Sequence, residues 1–156
     1  MEKLTMNQQN LSRRITPALT LLAAVFALLL VAPPAVEAQD KNVVVHIGSY
    51  NEDVQSALMG LNLASRLQEA GATVTIYLDR NAVRMAETRQ PLFRYADSDL
   101  EVIVRDFVAE GGRFLVCGHC AGLAGVDEAG FREGFILAGP EQTVPMFMEA
   151  DIVISF

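Results

Sequence analysis

Cysteine is scarce in this chain: Cys117 and Cys120, three apart, are the two in 156 residues. That excludes a disulfide-stapled scaffold, which pairs distant cysteines to close long loops. A bridge over two intervening residues removes little loop entropy, so the pair reads as chemical rather than structural. Histidine is as scarce, with His46 and His119 alone. Metal binding by Cys117, His119 and Cys120 therefore lacks an obvious fourth ligand, and no metal site is expected. Met146 and Met148 do not make a copper site, because residues two apart point to different faces of a helix. Positive charge is in deficit too. Twelve Lys and Arg stand against 19 Asp and Glu, a net charge of −7, which argues against nucleic acid and anionic lipid as partners. There is no internal repeat and no low-complexity segment.

The first 38 residues read as a leader. Arg13 and Arg14 close a polar stretch, the uncharged core Leu21 to Ala32 follows, and Val36-Glu37-Ala38 is a small-x-small cleavage pattern after Pro33-Pro34. This is the three-part plan of a secretory signal peptide, with cleavage expected after Ala38. The uncharged run from Ile15 to Val36 would also suffice as an uncleaved anchor, so membrane association is expected only if the leader stays. Ser12-Arg13-Arg14 hints at twin-arginine export, although Thr16 and Pro17 fit that motif poorly. An exported, periplasmic location follows from either route. Residues 39–156 then form one domain, large enough to fold without a disulfide or a metal.

Within that domain, strands alternate with amphipathic helices. Val43 to Ile47 is a buried strand stopped by Gly48, and a helix runs from about Asp53 to Ala70 with Ala57, Leu58, Leu61, Ala64 and Leu67 on one face. Thr73 to Leu78 is a second strand. Asp97 to Asp99 caps a helix bearing Leu100, Ile103, Val104, Phe107 and Val108, which Gly111-Gly112 ends. Arg113 to Val116 is a third strand that delivers Cys117 into a glycine-rich loop. Asp127 to Phe135 reads as a short helix, with Phe135 to Leu137 as a competing strand. Pro140 opens a last helix toward Met148, and Asp151 to Phe156 is the final strand. The pattern implies an α/β, Rossmann-like domain of three layers around a mostly parallel sheet of four to five strands. The loops Gly48 to Asp53, Asp79 to Arg94 and Cys117 to Gly125 should share the carboxyl edge, where such sheets bind ligands.

The chemistry concentrates in FLVCGHCAGLAG, Phe114 to Gly125. A thiolate is the reactive form of cysteine, favoured by unpaired N–H groups or a nearby imidazolium. Cys117 leads at the strand end, His119 is placed to tune it, and Cys120 is close enough to resolve a mixed disulfide or persulfide. Gly48, Gly118 and Gly122 are positions where backbone could approach a small substrate closely. Arg80, Arg84, Arg89 and Arg94 fall in one loop of an acidic protein. They read as a basic lid drawing anionic sulfur compounds toward Cys117, with Arg84 the candidate contact, or as a solvated variable loop, which is the plainer reading. His46 reads as a satisfied buried histidine rather than a ligand. Ser49, Asn51 and Asp53 could line the site, and helix capping explains them equally well.

Cys-Gly-His-Cys is the active-site tetrapeptide of protein disulfide isomerases. In thioredoxin-like folds, however, the pair opens a long helix near the first strands and usually follows Trp, which this chain lacks. The order of elements and the loop instead resemble the DsrE/DsrF-like sulfur-relay family, to which TusD-like carriers belong. The resemblance runs from VVVHIGSYNED through LASRLQEAGATVTIYLD and FLVCGHCAGLAGV to MEADIVISF. It implies a three-layer α/β/α domain that assembles as a homotrimer or homohexamer. It also implies persulfide sulfur carried on Cys117, with Cys120 as a second thiol. The partners implied are small sulfur compounds or a sulfur-donor or acceptor protein, with no cofactor. Three functions stay open: a sulfur carrier or sulfurtransferase, a dithiol–disulfide oxidoreductase, and an oligomeric binding module with idle cysteines.

Overall fold

Strand β1 (Asn42–Ile47) buries Val43, Val44, Val45 and Ile47 on both faces, as a strand in a sheet covered on both sides must. The structure, a computed structural model, describes residues 41–156; the expected leader lies outside the described residues. Helix α1 (Val54–Glu69) starts where the Asp53 carboxylate accepts from the Ser56 N–H at 2.9 Å, satisfying one donor of the first turn. It ends where Gly71 turns to φ +95°, and the Ala72 N–H reaches back to the Leu67 carbonyl at 3.0 Å. That left-handed step suits glycine, which has no Cβ to strain. Strand β2 (Thr73–Leu78) then lies parallel to β1, with Val45 opposite Ile76.

A 3-10 helix (Arg80–Ala86) follows, then a small antiparallel pair, β3 (Arg94–Tyr95) and β4 (Ser98–Asp99). Helix α2 (Leu100–Ala109) is capped by Asp99 and leads to β5 (Arg113–Cys117). Helix α3 (Gly118–Ala124), strand β6 (Phe135–Ala138), helix α4 (Pro140–Glu149) and strand β7 (Ile152–Ser155) complete the described chain. The main sheet runs β6-β5-β2-β1-β7, and every pairing in it is parallel. Helices α1 and α2 pack on one face. Helix α4 lies on the other, where Phe147 meets the Tyr77 ring edge-on at 5.3 Å. This is the expected three-layer, Rossmann-like α/β domain, with five strands in its main sheet.

The core sits between the sheet and α1/α2. Phe114 stacks on Phe135 at 4.1 Å and takes the edge of Phe107 at 5.4 Å. Burial of one such ring is worth about 1.5–3 kcal/mol relative to exposure. That packing decides the ambiguous segment. Phe135 belongs to β6, and the helix expected over Asp127 to Phe135 reduces to one 3-10 turn, Glu128–Gly130. Gly134, at φ +80° and against Val108, breaks any longer helix. The glycine-rich loop expected after Cys117 is instead the helix α3. It is closed by Gly125 at φ +67°, with the Val126 N–H returning to the Ala121 carbonyl at 2.9 Å.

Candidate functional site

Cys117 is the last residue of β5 and the N-cap of α3. A strand that ends directly on a helix start leaves first-turn N–H groups unpaired, and a sulfur at the cap position receives them. The Cys120 N–H donates to Cys117 Sγ at 3.3 Å. Partial burial disfavours a thiolate at Cys117, but four donors outweigh it: the Cys120 thiol, the Cys120 N–H, the Tyr77 hydroxyl and the His119 N–H. The Cys117 thiol is therefore held below the ordinary cysteine value. Cys120 moves the other way. Burial pushes it up, as does its role as donor to Cys117, and an N–H from Arg80 offsets part of this. Tyr77 is also pushed up, by burial first and then by Cys117, so its hydroxyl stays protonated and remains a donor. The pair is thus unequal, with Cys117 giving up its proton more readily than Cys120.

The sheet register assembles the surroundings. His46 pairs across β1 with Tyr77 on β2 and with Ser155 on β7, so three side chains from distant sequence share one row of one face. Asp79 stands beyond the Leu78–Val116 pair, level with Cys117. His46 Nε2 lies 3.0 Å from Asp79 Oδ1. The two atoms are close, but His46 Nε2 makes no hydrogen bond. His46 Nδ1 and Ser155 Oγ are 3.2 Å apart. Arg80 Nε donates to the same Asp79 oxygen at 3.1 Å, and its guanidinium lies over Gly48. A Cβ at Gly48 would stand 1.5 Å from Arg80 Nη2.

The residues singled out in the sequence fall into three groups. Cys117, Cys120 and His119 come together at one edge, and what His119 gives Cys117 is its backbone N–H; its imidazole is exposed. Gly48 joins them from the end of β1 through Arg80. Gly118 instead packs inward, where a Cβ would meet the Ala138 carbonyl at 3.3 Å, while Gly122 faces open space. The arginines do not converge. Arg84 donates to the Ala124 carbonyl at 3.0 Å and pairs with buried Glu87 at 3.7 Å, bracing the C-terminal end of α3. Arg89 donates to Glu87 at 2.7 Å, and Arg94 pairs with Asp99 at 3.3 Å. Only Arg80 among the four reaches the cysteine edge.

Sequence pattern does not single out Tyr77 and Asp79 as site residues. Their signal is positional: each sits at or just past the carboxyl end of a parallel strand. A groove of about 530 Å³ between α2 and Arg132 has none of these residues in its lining. Among the described residues, no three His, Cys, Asp or Glu side chains are grouped to hold a metal ion.

Two solved structures share this fold. The ychN protein from E. coli superposes with a TM-score of 0.62 at 18% identity, covering 74% of this chain and 99% of its own. A protein of unknown function from Methanobacterium thermoautotrophicum gives a TM-score of 0.58 at 20% identity, covering 75% of this chain and 100% of its own. At these identities the likeness concerns the fold. No family model matches the chain, and no curated protein sequence does.

Proposed function

We propose that this protein handles sulfane sulfur through Cys117, as a persulfide carrier. The observation that carries the reading is the unequal cysteine pair, in which Cys117 caps α3 and takes the Cys120 N–H at 3.3 Å, with its pKa lowered while that of Cys120 is raised. The Cys117 thiolate attacks the sulfane sulfur of a polysulfide or a persulfide. The donor's sulfur–sulfur bond breaks, the donor leaves as a thiolate, and Cys117 holds the transferred atom as a persulfide. An acceptor thiolate then removes it and restores Cys117. The DsrE/DsrF-like sequence of the loop supports this reading, as does a fold held in common with the two solved structures. Export through the N-terminal leader is part of the same proposal. So is self-association as a trimer or hexamer, which fits the exposed Val144, Met148 and Val153 on one side of the sheet.

A dithiol–disulfide oxidoreductase is the second reading, favoured by a cysteine pair that opens a helix with its sulfur capped by the partner's N–H. One comparison separates them. The reduced protein is exposed to polysulfide, desalted and offered a small thiol acceptor. For a carrier, Cys117→Ser abolishes transfer while Cys120→Ser still loads sulfur. Loss of all activity in Cys120→Ser, together with disulfide reductase turnover in the native protein, supports the oxidoreductase instead.

A further inference from the structure

Beside the cysteines stands a group of side chains that persulfide loading does not use. Asp79 Oδ1 accepts from Arg80 Nε at 3.1 Å and lies 3.0 Å from His46 Nε2, leaving Oδ2 outside both contacts. His46 is in turn fixed by Ser155 through Nδ1. Asp79 follows the Leu78–Val116 pair and so stands level with Cys117, whose sulfur takes the Cys120 N–H at 3.3 Å, and the 3-10 helix that begins at Arg80 packs on α3; this brings the Asp79–Arg80 segment to the second thiol. Arg80 adopts φ +45° there, a left-handed conformation that costs a non-glycine residue energy and persists where its surroundings enforce it. The groups facing the Asp79 carboxylate are His46 from β1, Tyr77 from β2, the adjoining Arg80 and Cys120 from α3, with Cys117 level with Asp79 at the end of β5.

We propose that Asp79, positioned by His46 and Arg80, takes the proton of Cys120, so that this second thiol resolves the Cys117 persulfide and releases hydrosulfide. The step rests on the carrier reading above. The Cys120 S–H proton passes to the carboxylate, and the freed electron pair forms a bond to Cys117 Sγ. The bond from Cys117 Sγ to the outer sulfur breaks, and the outer S–H leaves as hydrosulfide with that electron pair. The dithiol is oxidised to a disulfide while the sulfane atom is reduced to sulfide, so electrons balance within the site. A small dithiol reductant restores the pair for another round. The product class is thus inorganic sulfide, released when no acceptor thiol intervenes.

The test is a single turnover. Protein loaded with polysulfide and desalted is followed with a sulfide-reactive probe from mildly acidic to mildly alkaline pH. The native protein should release one hydrosulfide per chain and end as the Cys117–Cys120 disulfide. Cys120→Ser should keep its persulfide. Asp79→Asn should load normally yet release on the order of 10²-fold more slowly near neutral pH, recovering as hydroxide takes over proton removal. His46→Gln should shift the same pH profile by less. Release by Asp79→Asn at the native rate and with the native profile overturns the proposal and leaves the carrier reading standing. Failure of the native protein to load sulfur overturns both. If Asp79→Asn fails to load, Asp79→Glu decides the matter: release restored by the longer carboxylate supports the step, and release absent despite loading overturns it.

Discussion

Replacing Tyr77 with Phe removes one of the four donors to Cys117 and little else. The ring stays, and with it the edge-on contact to Phe147. A hydrogen bond to a charged group is worth about 1.5–3 kcal/mol. Tyr77 is only partly buried and three donors remain, so the lower end applies, and about 1.4 kcal/mol raises the Cys117 pKa by about one unit. Two effects then compete. Below its pKa the thiolate fraction falls about tenfold, but a more basic thiolate is a better nucleophile, with a Brønsted slope of about 0.4–0.5 that returns roughly threefold. Alkylation of Cys117 should therefore slow about threefold at acidic pH and quicken about threefold at alkaline pH, and the two profiles should cross. The assay is the rate of iodoacetamide modification against pH, with the Cys117 peptide followed by mass spectrometry. Crossing profiles distinguish a lost donor from general damage, which would scale the whole curve. An unchanged apparent pKa would refute the claim that the Tyr77 hydroxyl stabilises the thiolate.

Other outcomes follow from the same structure. Gly134→Ala should destabilise the fold by about 1–3 kcal/mol in urea denaturation, since a Cβ there would sit 2.5 Å from Val108 Cγ2 at φ +80°. Arg84→Met should cost about 1–3 kcal/mol, because it leaves the Ala124 carbonyl without that donor and buried Glu87 with less compensation; an unchanged midpoint would contradict its bracing role. Gly48→Ala should cost less than about 1 kcal/mol, the clash being with the far end of a flexible side chain, yet it should slow hydrosulfide release by moving Arg80 off Asp79. Expressed with its full N-terminus in a secreting bacterium, the protein should be recovered outside the cytoplasm beginning at Gln39, and recovery in the membrane with residues 1–38 intact would indicate an anchor.

The architecture was readable because its signals are local. Val43 to Ile47 and Thr73 to Leu78 are uninterrupted apolar or β-branched runs, and Asp53, Gly71 and Asp99 punctuate the helices between them. One segment was misread and another stayed ambiguous between helix and strand, each for a physical reason. Helix α3 is seven residues long with glycine at 118 and 122, too short for a periodic stripe and poor in helix propensity. Phe135 to Leu137 is a short apolar run whose identity is settled by contact with Phe114, which pattern alone does not reveal. At the site, Cys117 and Cys120 announce themselves by spacing. Tyr77, Asp79 and Ser155 do not, because they come from the ends of two strands, β2 and β7, and meet Cys117 and His46 only through the parallel register. The lid arginines show the converse. Sequence proximity grouped four cations, and the fold dispersed three of them onto Glu87 and Asp99.

The most direct test of the central claim is to locate the sulfur atom. Reduced protein is exposed to polysulfide, freed of excess, blocked with an alkylating reagent that preserves persulfides, and mapped by peptide mass. The unequal pair predicts one added sulfur on Cys117, retained in the Cys120→Ser variant and, in the native chain, seen when blocking precedes hydrosulfide release. Added sulfur on Cys120 in place of Cys117, or none on either thiol, would contradict the account.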